Sequence, residues 1–328
     1  MENKRLKKLL KKMKNDCKEA VGLRFPTAEN NGELFGYAIE DYEDIVGGEV
    51  SPIACEDIFE TLQDWYLDNT HYQILEHKNS ELATDYFARS SAYGHLALYV
   101  GVINFYCPKT HGQSFYLLDE ATSFMSQALL CGWEEEYESI GDWIISSIDY
   151  GYQDNAKGEQ ISQIVAAGTD DMLPGWFLLD LYCLVFDKKY DSKNAKYPKD
   201  MLIYKEILEN WNSKDMVKVD KMVYLMSEYH LEETKEVKNS EEEYYMFDDV
   251  RYWLFPYEIL TWLKLRERQG LENPKKFSHP LMNTEIAKFY LGLQTPLPKP
   301  TELPYAKELL EKLQTLCTHT HVPKWLKQ

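Results

Sequence analysis

Apolar residues return at three- and four-residue spacing along most of the chain, interrupted by clusters of Gly, Pro and Asn, and few stretches alternate with period two. A spacing of three and four keeps apolar side chains on one face of a 3.6-residue helix, so the pattern predicts helix after helix. The expected elements cover 3–20, 52–78, 81–107, 114–131, 133–151, 156–167, 174–189, 198–211, 214–231, 251–269, 281–292 and 303–317. Most connections between them are short, which favours antiparallel neighbours. The fold class expected is all-α, a multi-helix bundle or an array of helical hairpins.

The stretch "WLFPYEILTWLKLRERQGLENPKKFSHPLM", Trp253 to Met282, carries the densest local instructions. Pro256 suits a first helical turn, where its missing N–H costs little, and Trp253, Ile259, Leu260, Trp262 and Leu263 form an apolar surface. Lys264, Arg266 and Arg268 complement the negative end of the helix dipole, Gly270 suits the left-handed terminating position, and Pro274 blocks continuation. A new helix then starts at Pro280, with Ser278 or His279 as its cap. Glu258 stands among apolar neighbours; its expected role is structural, accepting hydrogen bonds from Arg251, Arg266 or His279 and locking the helix–turn–helix. This region reads as a fold rather than a reaction.

Charge changes the picture when it is divided along the chain. Residues 1–24 hold nine Lys/Arg against three Asp/Glu, residues 25–187 hold four against 29, and residues 188–328 hold 23 against 22. Between Arg24 and Lys78 there is no Lys or Arg, while 13 carboxylates accumulate. A one-sign field of this kind attracts a cationic partner and repels nucleic acid. Three regions follow: a basic amphipathic helix over 1–24, an acidic helical domain over 25–190 and a C-terminal helical domain over 191–328, the last two joined at the polar "DKKYDSKNAKYP" or forming one continuous domain. Within the acidic region, Glu40, Asp41, Tyr42, Glu43 and Asp44, and Glu134, Glu135, Glu136, Glu138 and Asp142, mix acids with nearby aromatics and are the candidate partner-binding residues. In the first helix, Leu6, Leu9, Leu10, Met13 and Cys17 share one face and the lysines the other. That helix either docks on the protein's own acidic middle or meets a membrane surface or nucleic acid; docking is the expected use.

Candidate chemistry is sparse. There is no Walker phosphate loop, Gly-x-Gly-x-x-Gly, Gly-x-Ser-x-Gly or His-Glu-x-x-His, and no EF-hand spacing. Cys317, His319 and His321 in "CTHTH" lack a fourth ligand, and His71 and His77, six apart, do not face one another, so no metal and no cofactor is expected. The six cysteines are scattered, without a paired motif, and read as reduced thiols. No apolar run is long enough to span a bilayer, and a cytoplasmic, non-enzymatic protein is the expectation.

The segment "ALLCGWEEEYESIG" (Ala128 to Gly141) loosely resembles the small-residue and turn positions of tetratricopeptide hairpins. A wider resemblance lies in "GWFLLDLY" (Gly175 to Tyr182), "YKEILENW" (Tyr204 to Trp211), "SEYHLEET" (Ser227 to Thr234) and "FPYEILTWLKLRERQGLENP" followed by "HPLM". This layout resembles that of helical bacterial proteins found beside polymorphic toxins, and the overall character is similar to acidic all-helical immunity proteins that neutralise nuclease effectors of type VI and related secretion systems. It covers about half the chain, residues 175–282 above all, and its motifs are packing motifs that carry over no catalytic residue. The resemblance implies an antitoxin whose acidic side chains occupy the basic cleft of one cognate toxin. Two alternatives come from other classes: a helical-repeat scaffold or adaptor that binds peptides or partner proteins in a concave groove, and a metal- or carboxylate-dependent enzyme with an inward cluster of carboxylates and histidines in a cleft.

Overall fold

The computed structural model describes residues 2–22, 52–106, 116–150, 152–154, 159–162, 165–166, 172–191, 197–235 and 245–316. Eleven α-helices follow one another among them: α1 (Glu2–Gly22), α2 (Pro52–Tyr72), α3 (Ser80–Tyr106), α4 (Leu118–Leu130), α5 (Glu134–Tyr150), α6 (Leu173–Phe186), α7 (Ile203–Glu209), α8 (Met216–Glu232), α9 (Tyr257–Arg268), α10 (Glu285–Leu291) and α11 (Ala306–Leu316). The all-α expectation holds.

Where boundaries differ from the periodicity, a local cause is visible. The helix α2 ends in a π-turn, Gln73–His77, closed by Lys78 at φ 55, and Asn79 then accepts the Leu82 N–H at 3.1 Å to start α3. Pro256 does not lie inside a helix that starts at 251: Val250–Tyr252 form a 3-10 turn, and Pro256 sits just before α9. His279 caps a 3-10 turn, Pro280–Asn283, through Nδ1 to the Leu281 N–H, and Thr284 restarts the chain as α10. The helix expected over 156–167 is a correction: in its described part, Glu159–Ser162 and Val165–Ala166 are strands. Glu159–Ser162 pairs antiparallel with Tyr152–Asp154, and Val165–Ala166 pairs parallel with Tyr116–Leu117. The β-branched Ile161 and Val165 favour extended backbone, which a three–four apolar count does not register.

One continuous set of buried residues runs from Leu6 in α1 to Leu313 in α11, across the polar stretch proposed as a domain seam. The α1 helix docks, as expected: Leu6, Leu9, Met13 and Cys17 are buried, and α1 packs on α2 and the 250–252 turn. Each of the three larger side chains contributes about 1.5–3 kcal/mol by leaving water. Arg266 is wholly buried yet satisfied, donating to the Trp211, Ser213 and Glu272 carbonyls at 2.7, 2.8 and 2.8 Å and to Asn273 Oδ1 at 2.9 Å. Its guanidinium thereby ties the loop after α9 to the turn after α7. Gly270 takes φ +71, and the Leu271 N–H returns to the Arg266 carbonyl at 2.9 Å, terminating α9 as its sequence predicts.

The partner of Glu258 differs from the expectation. It is His230 of α8, whose Nδ1 lies 3.0 Å from Glu258 Oε1 while Nε2 faces the Tyr252 and Trp253 carbonyls at 3.1 and 3.3 Å. Arg251 and His279 turn elsewhere: His279 meets Glu228 at 2.7 Å. Glu258 thus binds α8 to α9 rather than closing the helix–turn–helix on itself.

Candidate functional site

The carboxylates of α2 recur at intervals of four, Glu56, Glu60, Asp64 and Asp68, and so share one helix face. Like charges at that spacing repel, costing a few tenths of a kcal/mol per pair, and the helix tolerates them because its opposite face is anchored by Ile58, Phe59, Leu62, Tyr66 and Leu67. This acidic face lines two adjoining clefts of about 400 and 250 Å³. The larger lies between α1 and α2, with Asp16, Glu19, Asp64, Trp65, Asp68, Asp249 and Arg251 in its wall. The smaller is bounded by Glu60, Asp119, Glu120, Phe124, Asp248, Tyr252 and Tyr257, and it shares Asp64, Asp249 and Arg251 with the first.

Arg251 is the sole cation among the described residues that line either cleft. Its guanidinium pairs with Asp64 and, through Nη2 and Nε, with Asp249 at 2.7–3.0 Å. Asp249 also accepts the Arg251 N–H at 2.8 Å, so the 250–252 turn aims this arginine into the site. Burial alone would raise Asp249, but the Arg251 charge and hydrogen bonds outweigh it and hold its carboxyl below the ordinary range. The remaining acids outnumber their cation. Burial, reinforced by Glu120 and Glu56, pushes Glu60 up to about 9. Burial likewise lifts Glu120 to about 7 and Asp68 to about 7, and Asp64, although beside Arg251, to about 6. Asp64 keeps 40% of its side-chain surface open to the cleft, so water and solutes reach it.

The arrangement suits a cation. These carboxylates sit above their ordinary range because burial disfavours their charged form and neighbouring acids add to it, and an incoming ammonium or guanidinium favours that charged form. Trp65, Phe124, Tyr252 and Tyr257 add aromatic surface to the walls. Such surface accepts the stem or face of Lys and Arg.

The residues singled out from sequence are placed differently. Glu40, Asp41, Tyr42, Glu43 and Asp44 lie outside the described residues. Of the second set, Glu134 and Glu138 pair with Arg268 at 2.9 and 3.3 Å, Glu136 is buried against Lys299, and Asp142 accepts Lys188 at 2.8 Å and the Tyr182 hydroxyl at 2.9 Å. Only Glu135 stands exposed with no partner among the described residues. The reason is positional: the first turns of α5 lie against the end of α9 and the 293–300 loop, whose cations were counted as belonging to a separate, neutral half. The α2 face was missed, although its signal, four acids at i, i+4, i+8 and i+12 inside the cation-free stretch, was present in the sequence.

Among the described residues no group of three or more His, Cys, Asp or Glu is placed to hold a metal ion. No described helix is long and apolar enough to cross a membrane. His71 is buried with Nε2 2.9 Å from the Tyr290 hydroxyl, and burial lowers it to about 3, so it titrates as a core residue and not as a ligand. Cys17, Cys55 and Cys131 are buried, Cys183 is half-buried, and Cys317, His319 and His321 lie outside the described residues. Set against known protein families, curated proteins and solved structures, the chain matches none.

Proposed function

We propose that this chain is an immunity protein that neutralises a cognate antibacterial toxin by receiving cationic side chains of the toxin in the two adjoining acidic clefts along α2. The observation that carries the reading is the concentration of carboxylates there around a single arginine, on a frame whose other described acids of α5 are mostly satisfied internally. A toxin whose own active site is a basic, nuclease-like cleft presents the complementary surface, and electrostatic steering brings the two together quickly. The resemblance of residues 175–282 to helical bacterial proteins found beside polymorphic toxins, with an overall character similar to that of acidic immunity proteins, suggests the biological setting; the acidic clefts would supply the means of inhibition.

The test is capture of the partner on tagged full-length chain in its native host, followed by affinity measurement with the purified partner. Replacing Glu60→Gln, Asp68→Asn and Glu120→Gln together keeps shape and removes charge. Loss of three buried interfacial charges should weaken binding by at least about 100-fold, since a single such pair is worth about 2–5 kcal/mol. Protection of cells expressing the partner should fall with it. A captured partner that is acidic, or one that binds the triple variant as tightly as the parent, refutes the cleft mechanism.

A further inference from the structure

Three of the described residues belong to the walls of both clefts: Asp64, Asp249 and Arg251. Arg251 therefore stands at the boundary, and its guanidinium is held by two arms of unequal strength. The Asp249 arm is local and multiple. Nε reaches the two carboxylate oxygens at 3.0 and 2.9 Å, Nη2 reaches Oδ2 at 2.7 Å, and the Arg251 N–H donates to Oδ1 at 2.8 Å, where the 3-10 turn begins. The Asp64 arm is one contact, from Nη1 to Oδ2, made across to α2. The two carboxyls respond differently to the cation they share. Against burial, Arg251 holds Asp249 below its ordinary range, whereas burial keeps Asp64 raised to about 6.

The single arm is the exchangeable one. Asp64 keeps 40% of its side-chain surface open and Arg251 24%, and a pair with that much water access contributes little net. Asp249, two residues from its arginine, regains its contacts whenever they open. A guanidinium arriving from outside offers Asp64 the same planar N–H donors that Arg251 presents there. Trp65 lines the larger cleft with Asp64, and an aromatic face suits a guanidinium better than an ammonium. We propose that Arg251 is an internal competitor for the partner's site: an arginine of the partner displaces it from Asp64 while it stays on Asp249, so the hold of Arg251 on Asp64 sets how tightly the partner binds. This deepens, and rests on, the reading of the clefts as the place where a toxin is received.

The test is calorimetric titration of the full chain with hexa-arginine peptide, and with the captured partner, at about pH 8, where Asp64 of the parent is ionised. Parent, Arg251→Met, Asp64→Asn and the double variant are compared at one ionic strength. Arg251→Met should bind the peptide about five- to tenfold tighter, the inverse of what one partly exposed pair contributes, and the gain should vanish when Asp64 is already Asn. Hexa-lysine should gain less. Arg251→Lys, which keeps a cation on the turn but loses the fork, should gain in the same direction by a smaller factor, and it decides the matter if the methionine variant does not fold. Weaker binding by the position-251 variants would make Arg251 a support of the site's shape and overturn the proposal. A gain that persists with Asp64→Asn overturns it too, being the field of one removed charge, and an equal gain for hexa-lysine overturns the choice of arginine. A parent that binds neither peptide nor partner sinks the toxin reading as well, whereas a parent that binds and variants that gain nothing sink this inference alone.

Discussion

Binding of cations in the two acidic clefts along α2 should release protons. At pH 7 a carboxyl at about 9 is wholly protonated, two at about 7 are half protonated, and one at about 6 is nearly ionised. If an entering guanidinium holds all four as carboxylates, roughly two protons leave per complex, and affinity tightens by about thirtyfold between pH 7 and pH 8 as an upper limit. The sign for the free protein is opposite. A carboxyl raised in the fold lends stability that is fully present below its unfolded value and is lost as pH rises through its folded one, so the cost of the empty cleft builds from about pH 4 and is greatest above about pH 9. Calorimetric titration of the captured partner, or of a hexa-arginine peptide as a stand-in, in phosphate and in Tris at constant ionic strength measures the release directly, because the two buffers differ in ionisation enthalpy. Glu60→Gln should remove about one proton from the count at pH 7. Heats that do not depend on the buffer, or an affinity flat from pH 6 to 8, would refute the assignment of these carboxylates to the binding step.

Reversal of Glu134 and Glu138 to Lys should leave partner affinity within about twofold and cost at most about 1 kcal/mol of stability, since both pairs with Arg268 are largely exposed; a large loss of affinity would return the binding face to α5. Glu258→Leu alone should cost about 3–5 kcal/mol in urea unfolding, and adding His230→Leu should recover part of it, because a broken buried pair leaves one polar group stranded. His71, held near 3 in the fold, lends stability that is present above pH 6.5 and drains by up to about 1.4 kcal/mol per unit as pH falls toward 3. His71→Gln should flatten that part of the acid unfolding curve. Gly141→Ala places a Cβ 2.5 Å from the Tyr182 ring and should cost at least about 1–3 kcal/mol by overpacking, whereas Gly270→Ala, with nothing within 4 Å, should cost about 1 kcal/mol through its positive φ alone; equal melting shifts would contradict the distinction.

The helices were legible because burial is periodic: Leu6, Leu9, Met13 and Cys17 point inward in α1 as their spacing requires, and Gly270 and His279 end and begin elements as their chemistry requires. The strands near Glu159 were not, since short extended pairs leave too few residues for a period to emerge. Electrostatics failed for a different reason. Summing charge by region treats Glu134 to Asp142 as unopposed, yet Arg268 and Lys299 reach them from more than a hundred residues away, and Lys188 from just past α6. Charge matters at the range of a few ångströms, and which cation comes within that range is settled by packing. The same consideration explains why Arg251 is the cation that the acids of α2 meet among the described residues lining the clefts. The solvent-side neighbours of α2 are α1, which turns Asp16 and Glu19 toward the cleft, and the 245–252 segment, which brings two aspartates with its arginine. Burial, and after it the neighbouring acids, raises the proton affinity of the carboxylates gathered there from four separate parts of the chain, at a cost to the empty fold, and a cationic partner is the kind of ligand that would turn that cost into affinity.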